Sequence, residues 1–355
     1  MKVSVIILNW NAEALLKRFL PSTVQHSVLP AALGDVEVVV ADNGSTDGSL
    51  SFVRAFNEQL PTDVRRVRIV PFPENLGFAE GYNRALAATD AEYSVLLNDD
   101  AEVTEGWLEP MVRYMDAHLA CAACQPKLLS QRDKTRFEYA GAAGGFVDRY
   151  GYPFCRGRVF DTVEEDRRQY DADVPLLWAT GACLMVRTQE YLAAGGLDAR
   201  FFAHMEEVDL CWRLRTRGKE IRCVAESTVC HVGGATLGAE SPRKTYLNFR
   251  NNLLMLYKNL PPKELHRVLF VRSLLDVVAA AVFLLKGEGA HCRAVFRARR
   301  DYRKMRPSYA AQRQENLAAA AAAGNASMTV AERRRYSILI RYRLKGRHTF
   351  ADIDR

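Results

Sequence analysis

Along the first hundred residues, short apolar runs alternate with longer stretches whose apolar positions recur every three or four residues. Val3 to Leu8, Val36 to Ala41, Val67 to Pro71 and Tyr93 to Leu97 read as strands, and Ala12 to Gln25, Leu50 to Leu60 and Ala79 to Ala88 read as helices between them. Alternation of this kind, with strands apolar at nearly every position, predicts an α/β fold with a mainly parallel sheet flanked by helices on both faces. Ligands of such sheets bind outside the carboxyl ends of the strands. The polar clusters of this chain stand at those ends: Asn9-Trp10-Asn11 after the first strand, Asp42-Asn43-Gly44-Ser45 after the second, Asn75-Leu76-Gly77 soon after the third, and Asn98-Asp99-Asp100 after the fourth.

From Trp107 to about His231 the pattern is less regular. It contains a helix (Trp107 to His118), short strands around Phe137 to Tyr152, a polar loop from Asp161 to Asp173 and the apolar run Ala182 to Arg187. A further helix begins at Glu206 or Glu207, runs to Arg217 and is closed by Gly218. Beyond Pro261-Pro262 the character changes. Val268 to Leu285 is mostly apolar but carries Arg272 and Asp276, and a basic run including Arg293, Arg297, Arg300 and Arg303 follows it. Two charges in its first part argue against a bilayer-spanning helix. A helix lying in the membrane interface, its basic neighbour on lipid headgroups, fits better; the alternative is a buried helix followed by a solvated basic one. Ala318 to Ala323 reads as a helix end or a loose segment.

Composition supports a folded globular chain: 355 residues, 48% hydrophobic and 26% charged. The net charge of +7 is unevenly placed, because Lys286 to Arg355 holds 17 Lys/Arg against 6 Asp/Glu, leaving the preceding part near −4. The basic tail lacks the aromatic interleaving of a single-strand nucleic-acid platform, so no nucleic-acid partner is expected. Of eight cysteines only Cys121 and Cys124 have CxxC spacing, with no second close pair for zinc; small core residues in a reducing cytosol are expected. The opening Met-Lys-Val-Ser-Val-Ile-Ile-Leu is too short an apolar run for a signal peptide and is expected to be the first strand.

Adjacent carboxylates at a buried strand end repel and are costly to desolvate, so Asp99-Asp100 calls for a cation or for donors. Hard oxygen ligands suit Mg²⁺ or Mn²⁺ bridging a diphosphate. A plain strand end before a helix starting at Thr104-Glu105 competes with that reading. Asp42 to Ser49 closes a strand and opens a helix, with Asp42 placed for a base or ribose and Asp47 or Ser49 for a cap. Neither a dinucleotide fingerprint nor a Walker loop is present.

Taken in order, Val-Ser-Val-Ile-Ile-Leu-Asn-Trp-Asn, Asp-Asn-Gly-Ser-Thr-Asp-Gly-Ser, Asn-Leu-Gly-Phe-Ala-Glu-Gly-Tyr-Asn (Asn75 to Asn83) and Leu-Leu-Asn-Asp-Asp closely resemble the family 2 inverting glycosyltransferases, most of all their rhamnosyltransferase-like bacterial branch. The resemblance covers roughly residues 3 to 260. It implies a GT-A (nucleotide-diphospho-sugar transferase) fold over 1–260, with a nucleotide-binding half to about 105, an acceptor half from 106, and a helical, basic, membrane-surface extension over 261–355. The nucleotide-binding set it implies is Asn9, Asn11, Asp42, Asn43, Asn75, Gly77, Asn83, Asn98 and Asp99, with Asn98 standing where some relatives carry an acid. Trp178-Ala179-Thr180-Gly181-Ala182 and Phe201 to Arg213 match acceptor-side segments, implying acceptor contacts at Trp178, Thr180, Gly181, Glu206, Asp209 and Arg213. The family usually shows Glu-Asp where this chain has Glu206-Glu207, so the general base is expected at Glu207. Helical spacing puts Glu206 and Asp209 on one face and turns Glu207 aside. Asp100 and His231 are the implied metal ligands for Mg²⁺ or Mn²⁺, with Gly233-Gly234 letting the loop close over a diphosphate. The implied partners are a nucleotide-sugar donor (dTDP-rhamnose, or a UDP- or GDP-linked sugar), a glycan or lipid-linked acceptor, and the inner face of the cell membrane, met peripherally through 268–306. Oligomeric state is left open. A sugar nucleotidyltransferase is the alternative enzyme, but its glycine- and arginine-rich first loop is missing; a non-catalytic nucleotide- or nucleic-acid-binding protein is the third reading.

Overall fold

The computed structural model describes residues 1–233 and 241–355. Its first half follows the alternating pattern closely: β1 (Val3–Asn9), α1 (Glu13–His26), β2 (Val36–Asp42), α2 (Ser49–Gln59), β3 (Arg68–Pro71), α3 (Gly77–Ala87) and β4 (Tyr93–Asn98). After β4 come β5 (Ala101–Val103), α4 (Leu108–Ala117), β6 (Cys121–Ser130), β7 (Gly145–Val147), β8 (Pro153–Cys155), β9 (Arg158–Val159), β10 (Thr162–Val163), β11 (Cys183–Arg187), α5 (Thr188–Ala193), α6 (Glu206–Thr216) and β12 (Glu220–His231). The chain ends in α7 (Pro242–Asn259), α8 (Pro262–Leu285), α9 (Gly289–Met305), α10 (Ala310–Ala322) and the short α11 (Phe350–Ile353).

One sheet runs in the order β3-β2-β1-β4-β11-β6-β12-β5, and β7 to β10 form a small separate meander. The strands β1 to β4 are parallel; β11 is antiparallel to its neighbours β4 and β6, and β5 is antiparallel to β12. The sheet is therefore parallel on the nucleotide side and mixed beyond it. The long strands β6 and β12 went unread in the sequence. Small residues and Pro126 in β6 argue against a central strand, and the structure accommodates the proline where β12 shifts register between Val224 and Thr228.

Because side chains alternate across the pleat, each strand feeds two cores. Val5, Val38 and Val40 pack on Leu16 and Leu20 of α1, Val53 of α2 and Met111 of α4. Ile6, Val39 and Leu96 face Tyr82 of α3, Leu210 and Trp212 of α6, and Leu253 and Leu254 of α7. The C-terminal segment joins this second core through Tyr302, Tyr309, Ile338, Tyr342 and Phe350, the last with its ring tilted 37° against Phe146 at 5.2 Å. The boundary expected near residue 260 is thus only the turn from α7 to α8. The segment beyond it has no separate core.

Two devices fix the part of this core that carries the predicted base. Asp209 of α6, fully buried, accepts from Arg213 Nε (3.0 Å), Lys258 Nζ (2.6 Å) and Asn259 Nδ2 (2.7 Å), and Lys258 also reaches Asp198 at 2.8 Å. The Arg213 guanidinium donates to the carbonyls of Ala194 and Gly196. Ahead of α6, Phe202 (φ 67°), His204 (φ 71°) and Met205 (φ 72°) adopt left-handed backbone, which costs side-chain-bearing residues on the order of 1–3 kcal/mol each. The loop is held from two sides. Phe78 N donates to Phe202 O (2.8 Å), and buried Asn251 Nδ2 of α7 donates to the carbonyls of Phe201 (3.0 Å), Ala203 (2.8 Å) and His204 (2.8 Å).

Removing one partner from a buried charge cluster leaves the remaining charge uncompensated. Lys258→Met is expected to lower the urea midpoint with an unchanged m-value, by about 3–5 kcal/mol of stability. Asn251→Ala strips a donor from three carbonyls; amide hydrogen exchange over residues 202–207 is expected to quicken roughly 5- to 100-fold, from about 1–3 kcal/mol of lost satisfaction, while α8 and α9 exchange as before.

Candidate active site

The strand order brings the acidic strand end against His231. β5 pairs antiparallel with β12, opposing Ala101 to His231, so the turn Asp99-Asp100 lies beside the end of β12. His231 Nε2 is 2.9 Å from Asp100 Oδ1 and 3.3 Å from Asn98 Nδ2, while Nδ1 stands 3.4 Å from Glu138 Oε1. Burial pulls the imidazole pKa down, but the hydrogen bonds and charges of Asp100 and Glu138 outweigh it and raise it to about 10. Asp99 is pushed up to about 7 by burial and then by the charge of Asp100, with His231 pulling the other way. Glu138, 6% exposed, went unrecognised in the sequence, where it is a lone acid in a stretch of short strands. Gly233 (φ 72°) closes over it: a Cβ there would lie 2.7 Å from Glu138 Oε1. Gly234 lies outside the described residues.

Among the described residues no three acid, histidine or cysteine side chains converge as a complete cation cage. Small divalent ions need none, since they are held by one or two carboxylates together with substrate phosphates. Asp100 and His231 suit that use: they are in contact, and a carboxylate oxygen and an imidazole nitrogen can both ligate such an ion. The residues present therefore fit a divalent cation shared by Asp100, His231 and a diphosphate.

At the ends of β1 and β2 the polar side chains are largely spent on each other. Asn9 Nδ2 donates to Asp42 Oδ1 (2.9 Å), and Ser45 N donates to Asp42 Oδ2 (3.1 Å). Asn43 donates to Asn75 Oδ1 and Gly77 O and accepts from Leu76 N, so Asn43 and Asn75 shape the turn into α3. Expected nucleotide contacts at these two side chains give way to a structural role, as all their hydrogen-bonding groups except one amide are engaged. Asn83 is corrected likewise: it binds Leu197 N, Leu197 O and Tyr191 Oη, pinning the segment before the strained loop. What stays available is Asn9 Oδ1, buried with no partner among the described residues, and exposed Asn11, whose Oδ1 accepts from Thr46 N. Asp47 caps both neighbouring helices, accepting from Glu13 N and Ser49 N. A cavity of about 450 Å³ opens here, lined by Trp10, Asn11, Glu13 and Asp47 among others. None of Asp99, Asp100, Glu207 or His231 lines it.

On the acceptor side the residues divide in the same way. Trp178 Nε1 donates to Phe146 O (2.9 Å) and Thr180 Oγ1 to Ala140 O (2.6 Å), both side chains buried. Asp209 and Arg213 lie inside the charge cluster at 0% and 2% exposure. These four were expected to touch acceptor; buried and saturated, they instead frame the wall. Gly181 is different. A Cβ there would stand 3.3 Å from the Phe78 ring and 3.7 Å from Glu207 Cβ, so the missing side chain lets the base approach. Helical spacing sends Glu206 inward (4% exposed) and leaves Glu207 partly exposed, and Oε2 of each is buried without a hydrogen-bond partner among the described residues. Burial pushes the Glu207 carboxyl up to about 7 and Glu206 well above its ordinary range. Asn98 N donates to Ala182 O (3.0 Å), so Gly181-Ala182 links Glu207 to the acidic turn.

Comparison with known proteins agrees with this layout. Residues 4–163 match the family described as Glycosyl transferase family 2. Over 254 residues, 66% of this chain and 78% of the relative, it is 29% identical to the N-acetylglucosaminyl-diphospho-decaprenol L-rhamnosyltransferase of Mycobacterium tuberculosis. The structure of S. aureus TarS 1-349 in complex with UDP-GlcNAc aligns at a TM-score of 0.55 and 16% identity, covering 91% of this chain and 90% of that one. A mannosyltransferase from Pyrobaculum calidifontis in complex with GDP-Man and Mn²⁺ aligns at 0.51 and 17% identity, covering 91% and 86%. These structural likenesses establish the fold, which is that of the GT-A glycosyltransferases. Strand-end polar clusters, fold and sequence likeness agree: residues 4–163 carry the match to Glycosyl transferase family 2, and the chain is a glycosyltransferase whose sequence is similar to a rhamnosyltransferase.

Proposed function

We propose that this glycosyltransferase moves a sugar from a nucleotide-diphosphate donor to an acceptor hydroxyl with inversion, using Glu207 as general base. The observation that carries the reading is Glu207 itself: a carboxylate with an unpartnered oxygen, held near neutral pKa, beside a glycine that opens its approach. A base tuned to the working pH is most effective at taking a proton in the transition state. In the proposed step the acceptor proton passes to Glu207, the acceptor oxygen bonds to the anomeric carbon, and the bond to the diphosphate oxygen breaks with its electron pair leaving on the diphosphate. A single displacement inverts the centre and needs no enzyme nucleophile.

Asn98, Asp99, Asp100 and His231 form the leaving-group end. Asp100 and His231 would hold Mg²⁺ or Mn²⁺ here, and the ion would supply Lewis-acid neutralisation of the diphosphate. Asn9 Oδ1, an acceptor, and Asn11 Nδ2, a donor, are the groups left to read a base or ribose, with Asp42 held by Asn9 and Ser45. The donor proposed first is dTDP-rhamnose, supported by the rhamnosyltransferase relative; the aligned structures carry UDP-GlcNAc and GDP-Man. The acceptor is a growing, lipid-linked cell-surface glycan, placing the enzyme in envelope polysaccharide synthesis, peripheral on the inner face of the membrane through 268–306. Eight free cysteines suit a reducing compartment there.

Thermal unfolding of the purified protein with Mn²⁺ or Mg²⁺ and a panel of nucleotide sugars tests the donor. Stabilisation of about 2.7 kcal/mol is expected at a hundredfold excess over Kd, largest for dTDP-rhamnose and lost on chelation or in Asp100→Asn. A flat response across the panel overturns the donor reading. Glu207→Gln is expected to lower kcat on the order of 10²- to 10⁴-fold while keeping the donor-induced thermal shift; near-normal turnover rules Glu207 out. Because only the carboxylate accepts a proton, wild-type kcat is expected to fall with decreasing pH through about 7, roughly tenfold per pH unit below it.

A further inference from the structure

The helix α8 shows one apolar face left exposed among the described residues. Its 24 residues include an 18-residue window of mean hydropathy 2.3 that would suit a membrane span, but its two central charges are tied into the fold. Arg272, 2% exposed, donates to Tyr150 O (2.9 Å) and Asn252 Oδ1 (2.6 Å) and pairs with fully buried Asp276, which also accepts from Arg299 of α9. Pulling α8 out to cross a bilayer would break that buried cluster. On the opposite side Phe270 (66% exposed), Leu274, Val277, Val278, Val282 and Leu285 (88%) follow one another at helical spacing as a single stripe.

Positive charge surrounds the stripe. Lys263 and Arg267 continue it at one end and Lys286 closes the other, all exposed. The neighbouring α9, antiparallel to α8 with Phe283 stacked on His291 at 5.2 Å, exposes Arg293, Phe296, Arg303 and Lys304. These five lysines and arginines of the two ends and of α9, with Lys304, have no ion-pair partner among the described residues, whereas the nearby Asp301 is taken by Arg300 and Tyr246.

We propose that the α8–α9 hairpin is the docking face for an anionic phospholipid surface. The stripe enters the acyl boundary lying flat, and the flanking lysines and arginines sit on lipid phosphates. This rests on the peripheral membrane contact above and deepens it by naming the face, the lipid charge and the flat orientation. A second copy of the chain is a poorer occupant, because a two-fold contact on this face would oppose like charges. The face is joined to the active site: Tyr246 Oη of α7 donates to Asp301 of α9 (2.9 Å), and the same α7 carries Asn251, which holds the loop before Glu207.

Flotation of the full chain with vesicles tests the proposal. Roughly three parts phosphatidylcholine to one part phosphatidylglycerol should carry the protein at about 0.1 M salt, with at least roughly tenfold weaker binding to phosphatidylcholine alone or at about 0.5 M salt. The Leu274→Asp/Val278→Asp double variant is expected to stay unbound with its melting temperature and donor hydrolysis unchanged. The triple variant Arg293→Ala/Arg303→Ala/Lys304→Ala should bind on the order of 100-fold more weakly, about fivefold per charge. If wild type floats and both variants float equally well, the assigned face is wrong while peripheral contact stands. If wild type fails to float, or self-associates through the stripe instead, the membrane reading falls with it and the transferase reading does not.

Discussion

The Asp209 carboxylate governs where the catalytic machinery of this enzyme stands. Three donors from two helices, Arg213, Lys258 and Asn259, converge on it in a region with no solvent. Charges taken out of water must keep every partner, so α6 can neither rotate nor slide against α7 without a large penalty. Glu207 is two residues from Asp209 on the same helix. With Asp209 turned fully inward, helical geometry leaves Glu207 facing out beside Gly181. Such clusters add little net stability compared with apolar packing, and their value here is the single geometry they permit.

The same helix α7 contributes the second constraint. Asn251 and Lys258 are one heptad apart on the buried side of α7, so one helix face holds both the left-handed loop at Phe202 to Met205 and the charge cluster behind it. Phe202 O in turn receives Phe78 N at the start of α3, whose entry turn is shaped by Asn43 and Asn75 from the nucleotide side. The loop thereby connects α3 and its entry turn to α6 and α7. Backbone strain is stored where these elements meet, just ahead of Glu207.

Electrostatically the site has two unlike ends. The acidic turn is opposed by the His231 ring, itself held between Asp100 and Glu138. Glu207 has no cation beside it, and burial keeps its proton affinity high enough to accept from a hydroxyl. Separate environments push chemically similar carboxylates into different roles.

The alternation of β1 to β4 with α1 to α3, and the polar residues that end each strand, were legible in the sequence because periodicity and strand ends are local properties of the chain. Motif resemblance also pointed to Asp100 and His231, which the fold brings into contact. The strands β6 and β12 were not legible, since Pro126 and the small residues of Cys-Ala-Ala-Cys match no simple alternation and only the register shift opposite makes them pair. Glu138 and Asn251 carried no signal, being polar residues whose partners are brought to them by distant segments. Asn83, Thr180, Asp209 and Arg213 looked like ligand-binding residues and turned out to be occupied by Leu197, Ala140, Lys258 and Gly196. The sequence by itself determined which polar groups end up along one edge of the sheet. Only the tertiary structure decided which of them remain free for a substrate, because a hydrogen-bonding group is available to a ligand only when no other part of the chain has already satisfied it.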